Sequence, residues 1–355
     1  MWFIAILLAT LCAVGDAQTP ATPPQKSEKA APEPVVRWKG NSYAGKAIAE
    51  AIGESAAASV IPWSPWAQAR GYVLDLDPEL RRVFVHPAAR SSTAELAIVS
   101  RVIALIDKLA PPAATKAPAV VAIFVLAGPA DFTTLLEDVG ARFPLLAKWA
   151  QGEKGQAGFV LDEPFAAACL SSSPEQKEWN PKNELANRCA QLVLVERFGR
   201  LPNWLMQGLA WHAEMSVCGS IFCFPFRTGF VAKKEHRSWT EQLKALLVSP
   251  SPETPGRTLA IADLAGWKRG SYENDRALIA WGAASFLAKR CEEALPLILE
   301  DLRAIRATES KITKPDGSWQ IIPDYEVPPD KQLEILKARA GDDFLDALQR
   351  YCEGR

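Results

Sequence analysis

The order of predicted elements indicates an α+β fold: a mixed sheet with helices in the first half of the chain, followed by a mainly helical second half. Short apolar runs typical of strands occur before residue 183, whereas apolar residues recur at helical spacing over most of the chain after it. Strands and helices that are segregated along a chain in this way are typical of α+β proteins. The length of 355 residues, with 48% hydrophobic side chains, allows one large domain or two.

The sheet-bearing half is predicted from alternation and from one long periodic stretch. Apolar residues alternate with polar ones on both sides of Asp77-Pro78, which predicts a β-hairpin over residues 70–90. Thr93 to Leu109 has helical spacing and is followed by two prolines, so a helix is expected there. Further elements are predicted as strands over 120–125 and 158–161 and helices over 131–139 and 143–149.

The helical half is predicted from six periodic segments, and no internal repeat is evident. The predicted helices cover 183–198, 203–215, 239–248, 272–289, 291–306 and 330–351.

The N-terminus has the pattern of a secretory signal. Trp2 to Val14 is an apolar or small run of 13 residues, too short to span a bilayer, and Gly15-Asp16-Ala17 places small residues where a signal peptidase reads them. Residues 1–17 are therefore predicted to be a cleaved signal, with an uncleaved anchor as the alternative because no Lys or Arg precedes the run. The protein is expected to be exported (periplasmic, cell envelope or secreted) and to have no integral membrane segment after cleavage.

Beyond the leader we predict three segments. Residues 18–35 are rich in Pro and Ala and have no apolar periodicity, as in an extended linker. Residues 36–112 form an N-terminal α+β region, and residues 113–355 form the main domain. The 40 Lys and Arg residues balance 41 Asp and Glu residues, which argues against a nucleic-acid partner.

Six cysteines remain after the leader, and their even number in an exported chain predicts disulfides. Cys218 and Cys223 are spaced for a local bridge, and reduced thiols are the alternative. No CxxC pair supports a zinc site. The six are Cys169, Cys189, Cys218, Cys223, Cys291 and Cys352.

The stretch from Pro181 to Glu214 contains the most informative motifs. It has Asn183-Glu184-Leu185-Ala186-Asn187, then an Arg-Leu-Pro-Asn-Trp-Leu turn at 200–205, then Gln207-Gly208-Leu209-Ala210. These motifs resemble the core of the gluzincin (peptidase MA-like) metallopeptidases, in which one helix carries HExxH and the next carries EGLA. The resemblance implies a zincin-like fold for residues 113–355.

In active members of that group, two histidines at i and i+4 bind zinc, a carboxylate from the next helix completes the site, and the Glu of HExxH activates the bound water. Here the resemblance assigns the histidine positions to Asn183 and Asn187 and the carboxylate position to Gln207, and it leaves Glu184 as the vestigial general base. Neutral amide oxygens are weak zinc donors, so no metal and no cofactor are expected. An ion pair with Arg188 at i+4 is the simpler role for Glu184.

Other candidate residues are weaker. Tyr272 resembles a position where relatives place an aromatic residue near the cleft, although packing between helices with Trp281 and Phe286 explains it as well. His212 is expected to be packed or on the surface, His86 lies in the hairpin, and His236 is expected in an exposed loop.

The aromatic residues raise a further question. Five tryptophans either line a ligand cleft or, as we favour, belong to the core. The run Ser220–Phe226 is either an exposed partner-binding surface or a buried, disulfide-pinned hairpin. The five are Trp63, Trp66, Trp204, Trp211 and Trp239.

Three functional hypotheses follow. The leading one is an exported, catalytically inactive metallopeptidase-like protein whose remaining cleft binds a peptide or protein. The second is an active hydrolase with a displaced metal site, or a nonmetal mechanism that uses Glu184. The third is a structural or interaction module of the cell envelope.

Overall fold

The computed structural model describes residues 35–38, 41–77, 81–89, 93–111, 120–162, 164–171, 179–227, 236–248, 256–314, 319–322 and 325–354. The predicted signal and almost all of the predicted linker lie outside these residues. Within them, the α+β prediction is confirmed: one mixed sheet belongs to the first half of the chain, and helices dominate the second half.

Seven strands form the main sheet, in the order β2-β1-β3-β4-β5-β7-β6. Neighbouring pairs β1/β2, β3/β4 and β6/β7 are antiparallel, and β1/β3, β4/β5 and β5/β7 are parallel. The sheet continues without a break from the predicted region 36–112 into the next one. Its strands are β1 (Val35–Trp38), β2 (Asn41–Ala44), β3 (Tyr72–Asp77), β4 (Arg82–Pro87), β5 (Val121–Leu126), β6 (Gly158–Asp162) and β7 (Phe165–Leu170), and a separate hairpin pairs β8 (Lys311–Thr313) with β9 (Trp319–Ile321).

Fourteen α-helices lie within the described residues. In chain order they are α1 (Lys46–Ile52), α2 (Glu54–Val60), α3 (Ser64–Ala69), α4 (Thr93–Leu109), α5 (Pro129–Arg142), α6 (Ala147–Gly152), α7 (Pro181–Phe198), α8 (Asn203–Cys218), α9 (Trp239–Leu247), α10 (Ile261–Ala265), α11 (Asn274–Arg290), α12 (Ala294–Glu309), α13 (Pro329–Ala340) and α14 (Phe344–Glu353). None of the helices searched in these ranges combines the length and the apolarity that crossing a bilayer requires.

Alternate residues of the central strands enter two separate cores, as the period of two in a strand requires. Phe124 on β5 packs with Trp63, Trp66 and other side chains of the layer formed by α1–α3, α5 and α6. Ile123, next to it, joins the opposite core, which contains α4, α7 and the helical half. The sheet is therefore buried on both faces, and α7 lies between it and α8.

Several predicted elements differ from the structure. Residues 143–149 form a 3₁₀ turn followed by α6 rather than one helix. The predicted helix 330–351 is two helices, because Gly341 has φ +111° and ends α13. Strand β7 and the elements before residue 70 were not predicted individually. The hairpin at 70–90 and the helix Thr93–Leu109 are confirmed.

Candidate functional site

Helix α7 has clear local start and stop signals. Asn180 caps its N-terminus by accepting a hydrogen bond from the Lys182 N–H at 3.0 Å, and Pro181 occupies the first turn. At the other end, Gly199 takes φ +70°, which only glycine adopts easily. A short turn then leads into α8, which packs against α7.

The two asparagines of the Asn-Glu-Leu-Ala-Asn motif face one carboxylate on α8. The Nδ2 atom of Asn183 lies 2.9 Å from Oε1 of Glu214, and the Nδ2 atom of Asn187 lies 3.0 Å from its Oε2. All three side chains are buried. The side-chain amides of Asn183 and Asn187 lie one helical turn apart, and each donates to a different oxygen of the same carboxylate.

Gln207 joins this group through Gln191. The Gln191 amide donates to Oδ1 of Asn187 at 2.6 Å and to Oε1 of Gln207 at 3.4 Å. The three positions that the resemblance assigns to zinc ligands, Asn183, Asn187 and Gln207, therefore belong to one hydrogen-bonded network. Glu214 is the centre of that network. We refer to Asn183, Asn187, Gln191, Gln207 and Glu214 as the amide network.

The segment Ser220–Phe226, which we call the strap, follows α8 and covers Glu214. The N–H groups of Phe222 and Cys223 donate to Oε1 of Glu214 at 2.6 and 3.1 Å. Asn183 also donates to the Ser220 carbonyl at 2.6 Å. Main-chain groups of the strap therefore cover the Glu214 carboxyl group and Asn183.

The charge state of Glu214 is set by two opposing effects. Complete burial raises its pKa to about 8, while the N–H donors of Phe222, Asn183, Cys223 and Asn187 favour the ionised form and lower it. Each of these neighbours offers a hydrogen and accepts none at this carboxylate. The site is therefore built to surround a carboxylate oxygen pair with donors.

Glu184 lies on a different face of α7, towards the sheet. Its Oε1 accepts from Nε of Arg188 at 2.8 Å, and both side chains are buried. Gly158 on β6 makes room for them, since a Cβ there would lie 2.8 Å from Oε1 of Glu184 and 2.7 Å from the Ala168 carbonyl oxygen. The ion pair expected from the i, i+4 spacing is present, and it is buried rather than solvated.

Two further groups surround this ion pair. The Cys223 thiol is fully buried, and burial followed by the nearby Glu184 charge raises the pKa of that thiol well above its usual value. Burial also raises the pKa of Glu153, against the positive charge of nearby Arg188. Glu184 is thus enclosed by partners of its own.

Tyr272 sits just before α11 and packs with aromatic residues other than those expected. Its ring makes edge contacts with Trp211 and Phe224, with centroids 6.5 and 5.9 Å apart. The guanidinium of Arg227 lies 5.2 Å from the Tyr272 ring and 5.4 Å from the Phe224 ring. Tyr272 therefore belongs to the margin of the strap and lies outside the amide network.

The predicted Cys218–Cys223 bridge is not formed, and all six cysteines of the predicted mature chain are free thiols. The partly exposed Cys218 sulfur lies 3.8 Å from the Lys182 carbonyl oxygen, whereas Cys223 is buried.

All three histidines are buried. His236 was expected in an exposed loop, but its ring stacks on Phe222 with centroids 3.8 Å apart and its Nδ1 lies 2.9 Å from the Ile221 carbonyl. His86 contacts Asp75, and His212 contacts the Ser285 hydroxyl at 3.1 Å. Burial lowers the pKa of His212 to about 4.

The five tryptophans considered above belong to the core. They are each at most 6% exposed, as the core interpretation predicted. The strap is mostly buried, with Ile221 and Cys223 fully covered, but no disulfide pins it.

The donor set does not fit the zinc site that the resemblance implies in active relatives. Asn183 and Asn187 direct amide N–H groups, which have no lone pair to give, at the only carboxylate of the amide network. Within the described ranges, no group of three or more His, Cys, Asp or Glu side chains is arranged to hold a metal ion.

Sequence reasoning missed Glu214 as the centre of the site. The residue lies seven positions after Gln207, on the same face of α8, and a carboxylate there was a visible signal. Its partners are 31 and 27 residues away along the chain, so only the packing of α7 against α8 reveals the contact.

No protein-family model matches this chain, and no curated protein matches it.

Proposed function

We propose that this chain is an exported, non-catalytic protein of the gluzincin-like group, in which the amide network takes the place of the zinc centre. One observation carries the proposal. Asn183 and Asn187, the positions that correspond to the two histidines, donate to both oxygens of a fully buried carboxylate. Export rests on the predicted signal at residues 1–17.

The amide network supports a structural role because it is self-satisfied. Glu214 accepts from two side-chain amides and two main-chain N–H groups, so the protein itself supplies four hydrogen bonds to this buried carboxyl group. For zinc to bind here, these donors would have to be displaced and the amides replaced by groups with lone pairs.

The state of Glu184 also supports an inactive protein. A general base must come within about 3 Å of the proton that it removes. Glu184 is 3% exposed, and its Oε1 already accepts from Nε of Arg188 at 2.8 Å. It has a structural role on the sheet side of α7. We propose binding of a peptide or protein, the leading hypothesis from the sequence, as the function of this non-catalytic chain.

The competing function is hydrolysis by a nonmetal mechanism, and the electrostatic interaction of the buried Cys223 thiol with Glu184 is the feature in its favour. A thiol beside a carboxylate is the arrangement of a nucleophile and a base. However, the raised thiol pKa opposes thiolate formation, and only a thiolate attacks efficiently.

The experiment is to measure metal content by mass spectrometry on protein purified without chelator or metal-affinity resin, and to assay the same sample against a mixed peptide library. We expect substoichiometric metal and no cleavage. Stoichiometric zinc would overturn the proposal. Peptide cleavage by the wild-type protein that is absent in Cys223→Ala would favour the competing function.

A further inference from the structure

The strap is bound by side chains of α7 and α8 through its main chain. Asn183 donates to the Ser220 carbonyl, Glu214 accepts from the Phe222 and Cys223 N–H groups, and the indole Nε1 of Trp211 donates to the Cys223 carbonyl at 2.8 Å. Helix side chains thus satisfy four main-chain groups within four consecutive residues.

The strap side chains alternate in exposure. Ile221 and Cys223 are fully buried, whereas Phe222 and Phe224 are partly exposed and pack against His236. Proteins that bind an extended peptide use this division, since main-chain hydrogen bonds give affinity and pockets for alternate side chains give specificity.

The end of the strap is held in a conformation that costs free energy. Phe226 has φ +63°, a left-handed value that is unfavourable for a side chain of this kind. Its N–H donates to Oε1 of Gln156 at 3.2 Å, and Arg227 lies over the rings of Phe224 and Tyr272. The Gln156 hydrogen bond and the Arg227 contacts therefore hold the strained end of the strap in place.

We infer that the surface formed by Asn183, Trp211 and Glu214 is a recognition site for an extended peptide main chain with apolar side chains at alternate positions, and that the strap is its intramolecular occupant. A partner would carry a short apolar and aromatic segment and would bind by replacing the strap. This inference rests on the proposed binding function and names its ligand class.

Cysteine reactivity tests the replacement directly. The probe is a blocked heptapeptide with the sequence of Ser220–Phe226 and serine in place of the cysteine. The full chain is exposed to a maleimide with and without the peptide, and the labelling of each cysteine is followed by mass spectrometry. Cys223 reports opening of the strap, and Cys189, buried on α7, reports global unfolding.

We expect the peptide to accelerate Cys223 labelling in a saturable manner while Cys189 labelling stays unchanged. Arg227→Ala removes the cation over two rings and should increase Cys223 labelling about tenfold. Arg142→Ala is the matched control, because Arg142 lies over the rings of Trp63 and Phe143 in the other core.

Equal labelling of Cys223 and Cys189 at every peptide concentration, in both wild-type protein and Arg227→Ala, would overturn the inference. Metal content measured on the same samples separates the two proposals. A metal-free protein whose strap is not displaced contradicts only the recognition site, whereas stoichiometric zinc contradicts the proposed function itself.

Discussion

The two polar faces of α7 satisfy a buried carboxyl group in different ways. Towards the sheet, the Glu184 carboxylate is paired with the Arg188 guanidinium on the same helix. Towards α8, the Glu214 carboxylate has no cationic partner among its hydrogen bonds and is held by neutral amides and main-chain N–H groups. One face pairs a carboxylate with a cation, and the other surrounds a carboxyl group of raised pKa with neutral hydrogen-bond donors.

This difference has consequences for stability and for pH response. Loss of one member of a buried ion pair leaves an uncompensated charge, which is more costly than loss of one of several hydrogen bonds. A carboxylate without a counter-charge has a pKa that burial raises, as at Glu214. The sheet side should therefore be sensitive to truncation, and the α8 side should be sensitive to pH.

The largest effect is expected on the sheet side. Glu184→Ala should lower the free energy of unfolding by about 3–5 kcal/mol, because it strands a buried guanidinium. Urea denaturation measures the change. Glu300→Ala, in the exposed Glu300–Arg303 pair, is the control and should cost at most about 1 kcal/mol. Equal losses in the two variants would show that the Glu184 pair is not buried in solution.

A smaller loss is expected on the α8 side. Asn187→Leu keeps the approximate volume but removes the donor to Oε2 of Glu214, and should cost about 1–3 kcal/mol. Asn203→Leu is the matched control, since the Asn203 amide makes a longer bond, 3.4 Å, to the Lys268 carbonyl. If the two variants lose the same free energy of unfolding, the hydrogen bond from Asn187 to Glu214 stabilises the fold no more than the long bond made by Asn203.

The pH response of stability separates the two faces further. The folded-state pKa of Glu214 is raised to about 8 from 4.5, so the folded protein binds more protons than the unfolded chain between these values. The contribution of Glu214 therefore makes the free energy of unfolding fall as pH rises from about 4.5 to about 8, by up to about 1.4 kcal/mol per pH unit.

Glu214→Gln should remove this slope, and denaturation at a series of pH values measures it. Glu300→Gln serves as the control with an exposed carboxylate. A wild-type slope that persists unchanged in Glu214→Gln would assign the pH response to other groups.

The elements that sequence predicted well are those with strong local signals. Thr93–Leu109 was placed at its observed bounds because apolar periodicity and two following prolines define it. Strand β7 was missed because Phe165–Leu170 contains three alanines and no β-branched residue, and pairing with β5 and β6 overrides that weak preference. Residues 330–351 were predicted as one helix because the conformation of Gly341 is not visible in the apolar pattern.

The candidate site was predicted in part. The motif placed Asn183, Asn187 and Gln207 on two neighbouring helices, and the structure joins them in one network. The carboxylate of Glu214 on the Gln207 face of α8 is visible in the sequence, but its contacts with Asn183 and Asn187 are not. The burial of His236 likewise depends on contacts between segments distant in sequence.

The measurement that tests the central claim most directly is zinc titration of Asn183→His/Asn187→His. Asn183 and Asn187 lie one helical turn apart, and both side chains reach the Glu214 carboxyl group, so histidines at these positions would face the same carboxyl group. Wild-type protein and the triple variant that adds Gln207→Glu are titrated beside it by calorimetry.

We expect the double variant to bind one zinc ion, with Glu214 as the third ligand, and the wild-type protein to bind none. The triple variant should bind zinc too, and replacing Glu214 by Gln in the double variant should abolish binding. A folded double variant that takes up no zinc, or a wild-type protein that does, would contradict the claim that the amide network stands in place of a metal centre.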